Sequence, residues 1–117
     1  MSLKSEEQIK PGAAFPWRQL IDHTLLKPET TAAQIEKLCQ EALDYSFGAV
    51  CVLPTRVPDA AAYLKGSPVK TATVVGFPLG GNTTGVKVLE TTQAIAQGAQ
   101  EIDVVINLGA LKDGNDN

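Results

Sequence analysis

Asp103 stands inside Glu101-Ile102-Asp103-Val104-Val105-Ile106-Asn107, a β-branched run of the kind that forms a buried strand. A carboxylate is costly to bury there unless it is paired or protonated. Two readings are open. Asp103 lies at a frayed strand start where water reaches it, or it is a working acid or base whose proton affinity the strand environment raises. A second acid, Asp22, precedes Thr24 by two residues in Leu20-Ile21-Asp22-His23-Thr24-Leu25-Leu26, so both share one strand face. His23 alternates to the opposite face, where packing behind the strand is expected.

A neutral amine would add nucleophilic chemistry to these carboxylates. A lysine reaches that state near pH 7 only when it is desolvated or crowded by another cation. Lys4 and Lys10 fall in a polar lead-in, Lys37, Lys65 and Lys87 on helical patterns, and Lys27, Lys70 and Lys112 beside strands. All eight are expected to be ordinary solvated side chains. The stretch GFPLGGNTTG lacks the lysine and hydroxyl pairing of a phosphate-cradling P-loop and reads as a strand-to-helix turn. Cys39 and Cys51 have no nearby ligand partners, and His23 is the single histidine, so no metal site is expected. Both cysteines read as reduced thiols, which points to the cytoplasm. Trp17, Tyr45 and Tyr63 read as isolated packing aromatics.

The elements that must hold these groups recur along the chain. Four apolar runs, residues 20–26, 48–53, 71–77 and 101–107, alternate with helical patterns. After the first run, Thr31 and Gln34 have capping-box spacing, and Ile35, Leu38, Cys39, Ala42 and Leu43 form one apolar stripe. After the second, Pro58 opens a short helix that closes near Gly66. After the third, Val88, Leu89, Thr92, Ile95 and Ala96 share a face, with Gly98 as a stop signal. The last residues, LKDGNDN, are polar and turn-prone.

This alternation implies parallel strands joined by helical crossovers. Each strand carries one apolar or small face and one seeded with polar groups. Leu20, Asp22, Thr24 and Leu26 share such a face; so do Asp103, Val105 and Asn107, and Thr71, Thr73, Val75 and Phe77 are taken as its match in the third strand. A doubly wound sheet would show more continuous apolar runs. The mixture suits a barrel interior rising into a site. The expected fold is therefore α/β, an arc of a (β/α) barrel built from about four βα units. Residues 16–117 form the arc, behind a mobile lead-in at 1–15 that has no apolar centre and so is not expected to be a signal peptide.

Composition narrows the partners. The 117 residues carry 44% hydrophobic and 20% charged side chains, with net charge −3 and 5% aromatics. No basic stripe marks a nucleic-acid surface, and no apolar run approaches the roughly 20 residues of a membrane span.

Six motifs in register, IDHTLLKP, LCQEA, FGAVCVLP, TVVGFPLG, KVLET and GAQEIDVVINLGALKDG, strongly resemble the deoxyribose-phosphate aldolase family from about Asp22 to Gly114. The resemblance implies a (β/α)8 barrel that cleaves 2-deoxy-D-ribose 5-phosphate to acetaldehyde and D-glyceraldehyde 3-phosphate through a lysine Schiff base, without metal or organic cofactor. It gives Asp103 the role of proton donor and acceptor, working with a lysine and water. It places Asp22 and Thr24 near the reacting carbon and its hydroxyls, and Cys51 on the pocket wall.

The departure is length, because a whole barrel takes about 250 residues. The family's Schiff-base lysine on strand six, its partner lysine on strand seven and its later phosphate loops have no counterpart here. Inactivity alone is expected. The alternative is a self-assembling half-barrel or a complementing fragment without catalysis. Two open edges and an inner face of Leu20, Leu26, Cys51, Val75, Phe77 and Val105 point to a homo-oligomer, or to pairing with a missing C-terminal half.

Overall fold

The computed structural model describes residues 17–114, so the lead-in expected over residues 1–15 lies outside the described residues. A 3-10 turn at Trp17–Leu20 leads into β1 (Asp22–Leu25), followed by α1 (Ala32–Tyr45) and β2 (Ala49–Val52). A second 3-10 turn at Pro54–Arg56 runs into α2 (Val57–Leu64), and then come β3 (Lys70–Val75), α3 (Thr84–Ala96), β4 (Glu101–Val104) and α4 (Leu108–Lys112).

The strands form one parallel sheet in the order β1-β2-β3-β4. The core built from α1, α2 and α3 all lies on the side to which Val50 and Val52 point. Strand order never reverses, and the helices share one face, as in consecutive units of a barrel and not in a doubly wound sheet. The fold is half of a TIM-like (β/α) barrel, as the alternation predicts.

Local chemistry accounts for the helix boundaries. The Thr31 hydroxyl accepts from Gln34 N at 3.3 Å, and the Gln34 side chain accepts from Thr31 N at 2.9 Å. This capping box satisfies two donors at the start of α1. The helix ends at Ser46 in the left-handed region. Pro58 occupies the first turn of α2, where its missing N–H costs nothing. Ile35, Leu38, Cys39 and Ala42 are buried, with Leu43 partly buried against them, so the stripe read along α1 is the face that meets the sheet.

Four expectations are corrected. Register pairs Cys51 with Ala72 and Val74 with Asp103, so the inner face of β3 is Ala72 and Val74. Thr71, Thr73 and Val75 face the helices instead, where the Thr73 hydroxyl donates to Val52 O at 2.6 Å. Both faces of this strand carry small residues, so alternation marked two faces without saying which was inner.

In α3, Ala94 is the buried residue and Lys87, Glu90 and Thr91 are half-buried, whereas Val88, Leu89 and Ile95 are more than half exposed. The stripe is real but turns away from the sheet. β4 ends at Val104, and Asn107 caps α4 by accepting from Ala110 N at 3.1 Å, so the supposed polar tail begins as a helix. Leu20, Cys51 and Val75 are buried rather than open. The uncovered apolar surface consists chiefly of Phe77, Leu79, the outer side of α3, Val104, Ile106 and α4.

Gly48 marks the tightest approach at the base of the sheet. Its N–H reaches Arg18 O and Ile21 O, and its carbonyl accepts from Lys70 N at 3.0 Å. A Cβ added there would lie 2.2 Å from Gln19 O, against backbone that has no slack. Gly48→Ala is expected to cost about 1–3 kcal/mol, the range for overpacking; urea denaturation checks this, and an unchanged midpoint contradicts it.

Candidate active site

The inner face is read in rows set by register. Asp22, Ala49 and Lys70 form the lowest row, then Thr24, Cys51, Ala72 and Glu101, with Val74 and Asp103 above. Asp22 and Thr24 on β1, Cys51 on β2 and Asp103 on β4 therefore share one surface. Alternation gives each strand two faces, and the parallel register brings these four residues onto the same one.

Exposure differs across this surface. Cys51 is buried beside Ala49, Ala72 and Val74. Asp22 is half-buried, and Thr24 and Asp103 are exposed, so water reaches the Asp103 carboxylate in this chain. The Thr24 hydroxyl donates to Asp22 O at 3.0 Å, which fixes its rotamer against the strand. Lys70 sits at the lower end of the face, with its ammonium 3.8 Å from the Glu101 carboxylate.

Burial pushes the Cys51 thiol up to about 11, with the negative charges of Asp103 and Asp22 adding to the effect. Burial alone raises Cys39 to about 11 as well. A thiol held neutral at pH 7 is neither a nucleophile nor a metal ligand. Cys51 thus acts as an apolar wall that feels both acids.

His23 points away, as expected, with its ring 5.2 Å from Phe47. Its Nε2 lies 3.8 Å from Glu41, too far for a hydrogen bond, and it is a charge pair only when the ring is protonated. Tyr45 stacks on Phe47 at 5.7 Å. Among the described lysines only Lys70 lies on a strand, and the Asp103 level carries no amine.

Sequence reasoning missed Glu101 and Lys87. Glu101 was legible, since it precedes Asp103 by two residues and shares its face. Lys87, expected in solvent, is half-buried and donates to two backbone carbonyls, Gly80 O at 2.7 Å and Val105 O at 2.9 Å. Nothing in its helical spacing signals this.

The family model described as "DeoC/LacD family aldolase" matches residues 18–117. The chain belongs to this aldolase family. Deoxyribose-phosphate aldolase of Clostridium perfringens is 62% identical over 95 residues, covering 81% of this chain and 42% of that protein. The Geobacillus deoxyribose-phosphate aldolase is 61% identical over 98 residues, covering 84% and 44%. Among solved structures, the tetrameric deoxyribose phosphate aldolase of Aeropyrum pernix superposes with TM-score 0.74 at 35% identity, covering 79% of this chain and 39% of that one. Another aldolase of known structure gives TM-score 0.80 at 40% identity over 86% of this chain and 45% of its own. The chain thus spans less than half the length of the family relatives it matches. Among the described residues no helix is long and apolar enough to cross a membrane.

The neutral thiol is the form the fold favours, because both folded values lie above the ordinary 9.0. Their contribution to stability is full below about pH 9 and is lost as pH rises through about 11. Urea midpoints are expected to fall over that window, and less steeply in Cys51→Ala. A thiol reagent at pH 7.5 is expected to label the two cysteines slowly until denaturant is added; rapid native labelling of Cys51 contradicts this assignment.

Proposed function

We propose that this chain supplies the proton-transfer wall of a deoxyribose-phosphate aldolase pocket. Asp103 is the proton donor and acceptor, Asp22 and Thr24 face the substrate hydroxyls, and Cys51 closes the wall. The observation that carries this reading is the shared inner face of the four side chains, fixed by strand register. The similarity to proteins named for that activity supports it.

The reaction needs an amine to condense with the C1 aldehyde of 2-deoxy-D-ribose 5-phosphate, releasing water. Loss of the C3 hydroxyl proton then lets the C2–C3 bond break, its electrons moving into the iminium. D-Glyceraldehyde 3-phosphate departs, leaving an enamine. Protonation at C2 and hydrolysis release acetaldehyde and the amine. Each step moves a proton, and a carboxylate at the mouth of parallel strands is placed to carry it. The Schiff-base lysine comes from units of the barrel beyond the four described here.

Alone, the chain is expected to turn over no deoxyribose 5-phosphate and to leave no borohydride-stable adduct, because covalent catalysis lacks its nucleophile. Turnover by protein free of host aldolase, or a mass increase after reduction, would sink this. A chimera tests the role of Asp103. Residues 18–114 of this chain replace the matching segment of the Clostridium perfringens enzyme, to which they are closely similar. In that barrel Asp103→Asn is expected to lower kcat by about 10²–10⁴-fold with little change in Tm. A large loss of Tm with kcat per folded molecule intact makes Asp103 structural instead.

A second, non-catalytic reading has its own observation. Among the described residues β1 and β4 each pair on one side only, and Val104 at the end of β4 and Ile106, Leu108 and Leu111 after it are exposed. Open edges and wet apolar surface favour pairing with another chain. The chain is expected to self-associate or to bind a complementing C-terminal half. Sedimentation of a compact monomer at micromolar concentration, with a melt independent of concentration, contradicts this.

A further inference from the structure

The loop after β3 is held by the helix that follows it. Gly76 and Gly80 both have positive φ, 68° and 70°, and Gly80 N donates to Gly76 O at 2.7 Å, closing a tight turn. Glu90 of α3 accepts from Gly76 N at 2.7 Å, at one end of that turn. Lys87, one helical turn earlier, donates to Gly80 O at 2.7 Å and to Val105 O at 2.9 Å. Its stem fills the space under Gly76, where a Cβ would lie 2.9 Å from Lys87 Cε. Gly80 in turn presses on β4's continuation, since a Cβ there would lie 2.0 Å from Ile106 O.

Val105 is two residues beyond Asp103, and its N–H donates to Val75 O at 2.9 Å. The Lys87 ammonium therefore joins the β3 loop to the end of the strand that carries the acid. Charge-assisted donors on carbonyls are short and directional, so the joint is stiff.

We propose that Lys87, seconded by Glu90, is a positioning residue that sets the height of Asp103 relative to the mouth loop. The catalytic consequence rests on the reading of Asp103 as the proton-transfer group, whereas the clamp itself does not. A small misplacement of a reacting group is enough to cost up to about 100-fold in rate.

Amide hydrogen exchange on this chain tests the clamp. Lys87→Met keeps the stem and removes the donor. Gly80 and Val105 amides are expected to exchange at least about fivefold faster, with Val50 and Val52 unchanged and Lys87→Arg closer to the parent. Unchanged rates at Gly80 and Val105, or a uniform acceleration including Val50 and Val52, overturn the clamp. In the chimera, Lys87→Met is expected to lower kcat about tenfold or more with KM within about twofold, and Lys87→Arg to restore part of it. If Asp103→Asn is damaging but Lys87→Met leaves kcat intact, the positioning role fails. If Asp103→Asn leaves kcat intact, the aldolase role of Asp103 fails, and exchange alone decides the clamp.

Discussion

The register of β2 is the constraint on which the rest of the molecule depends. Val50 and Val52 point into the helix-side core, and Ala49 and Cys51 point inward. A slip by one residue would exchange the two sets, sending the valines to the site and Cys51 under the helices. Both neighbours hold this strand in place. Gly48 admits the backbone before β1 at the base, and the Thr73 hydroxyl grips Val52 O from β3. With β2 set, parallel pairing carries its parity outward, and Asp22 and Asp103 arrive on the same surface without touching each other.

The mouth is organised differently, by long cations rather than by ladder hydrogen bonds. Arg56 donates to Thr30 O at 2.9 Å and to Asp59 at 3.1 Å, tying the turn after β2 to the loop before α1. Lys87 does the corresponding work between the β3 loop and the end of β4. Loops leave carbonyls outside any ladder, and such groups need donors once they are sheltered. In both places a side chain whose aliphatic stem is partly buried supplies one, so chain connections that would otherwise fray become part of a rigid rim.

Much of this was legible because period and capping are local. Thr31 with Gln34, Pro58 and the stripe from Ile35 to Leu43 announced two helices, and alternation put Asp22 with Thr24 and Asp103 on polar-seeded strand faces, with Cys51 joining them only through the family resemblance. What failed needed tertiary information. The third strand is small on both faces, so Thr71 and Thr73 looked as fit for the interior as Ala72 and Val74. The stripe Val88–Leu89–Ile95 was correctly seen, but periodicity cannot say whether a stripe meets the sheet or whatever lies beside it. Here Ala94 and the Lys87 stem take the sheet side. Lys87 itself was unreadable, because its acceptors are backbone atoms brought close only when the loop folds back over β4.

Burial of Asp103, suggested by its apolar neighbours, is not met within these four units, and the reason bears on the proposed mechanism. The strand gives the acid one wall only. Among the described residues three carboxylates, Asp22, Glu101 and Asp103, share the inner face with one ammonium, Lys70, which stands at the far end against Glu101. An amine on a facing wall would be drawn toward this negative surface. In direct contact with Asp103 it would be held as ammonium, because a neighbouring carboxylate favours the charged form. Schiff-base formation requires the neutral amine. The two demands are reconciled if the amine and Asp103 are separated by the width of a substrate hydroxyl or a water, close enough to pass a proton and too far to form a salt bridge. On the proposed reading, that places a premium on the height of Asp103 above the sheet, the coordinate assigned to the end of β4 and its Lys87 contact.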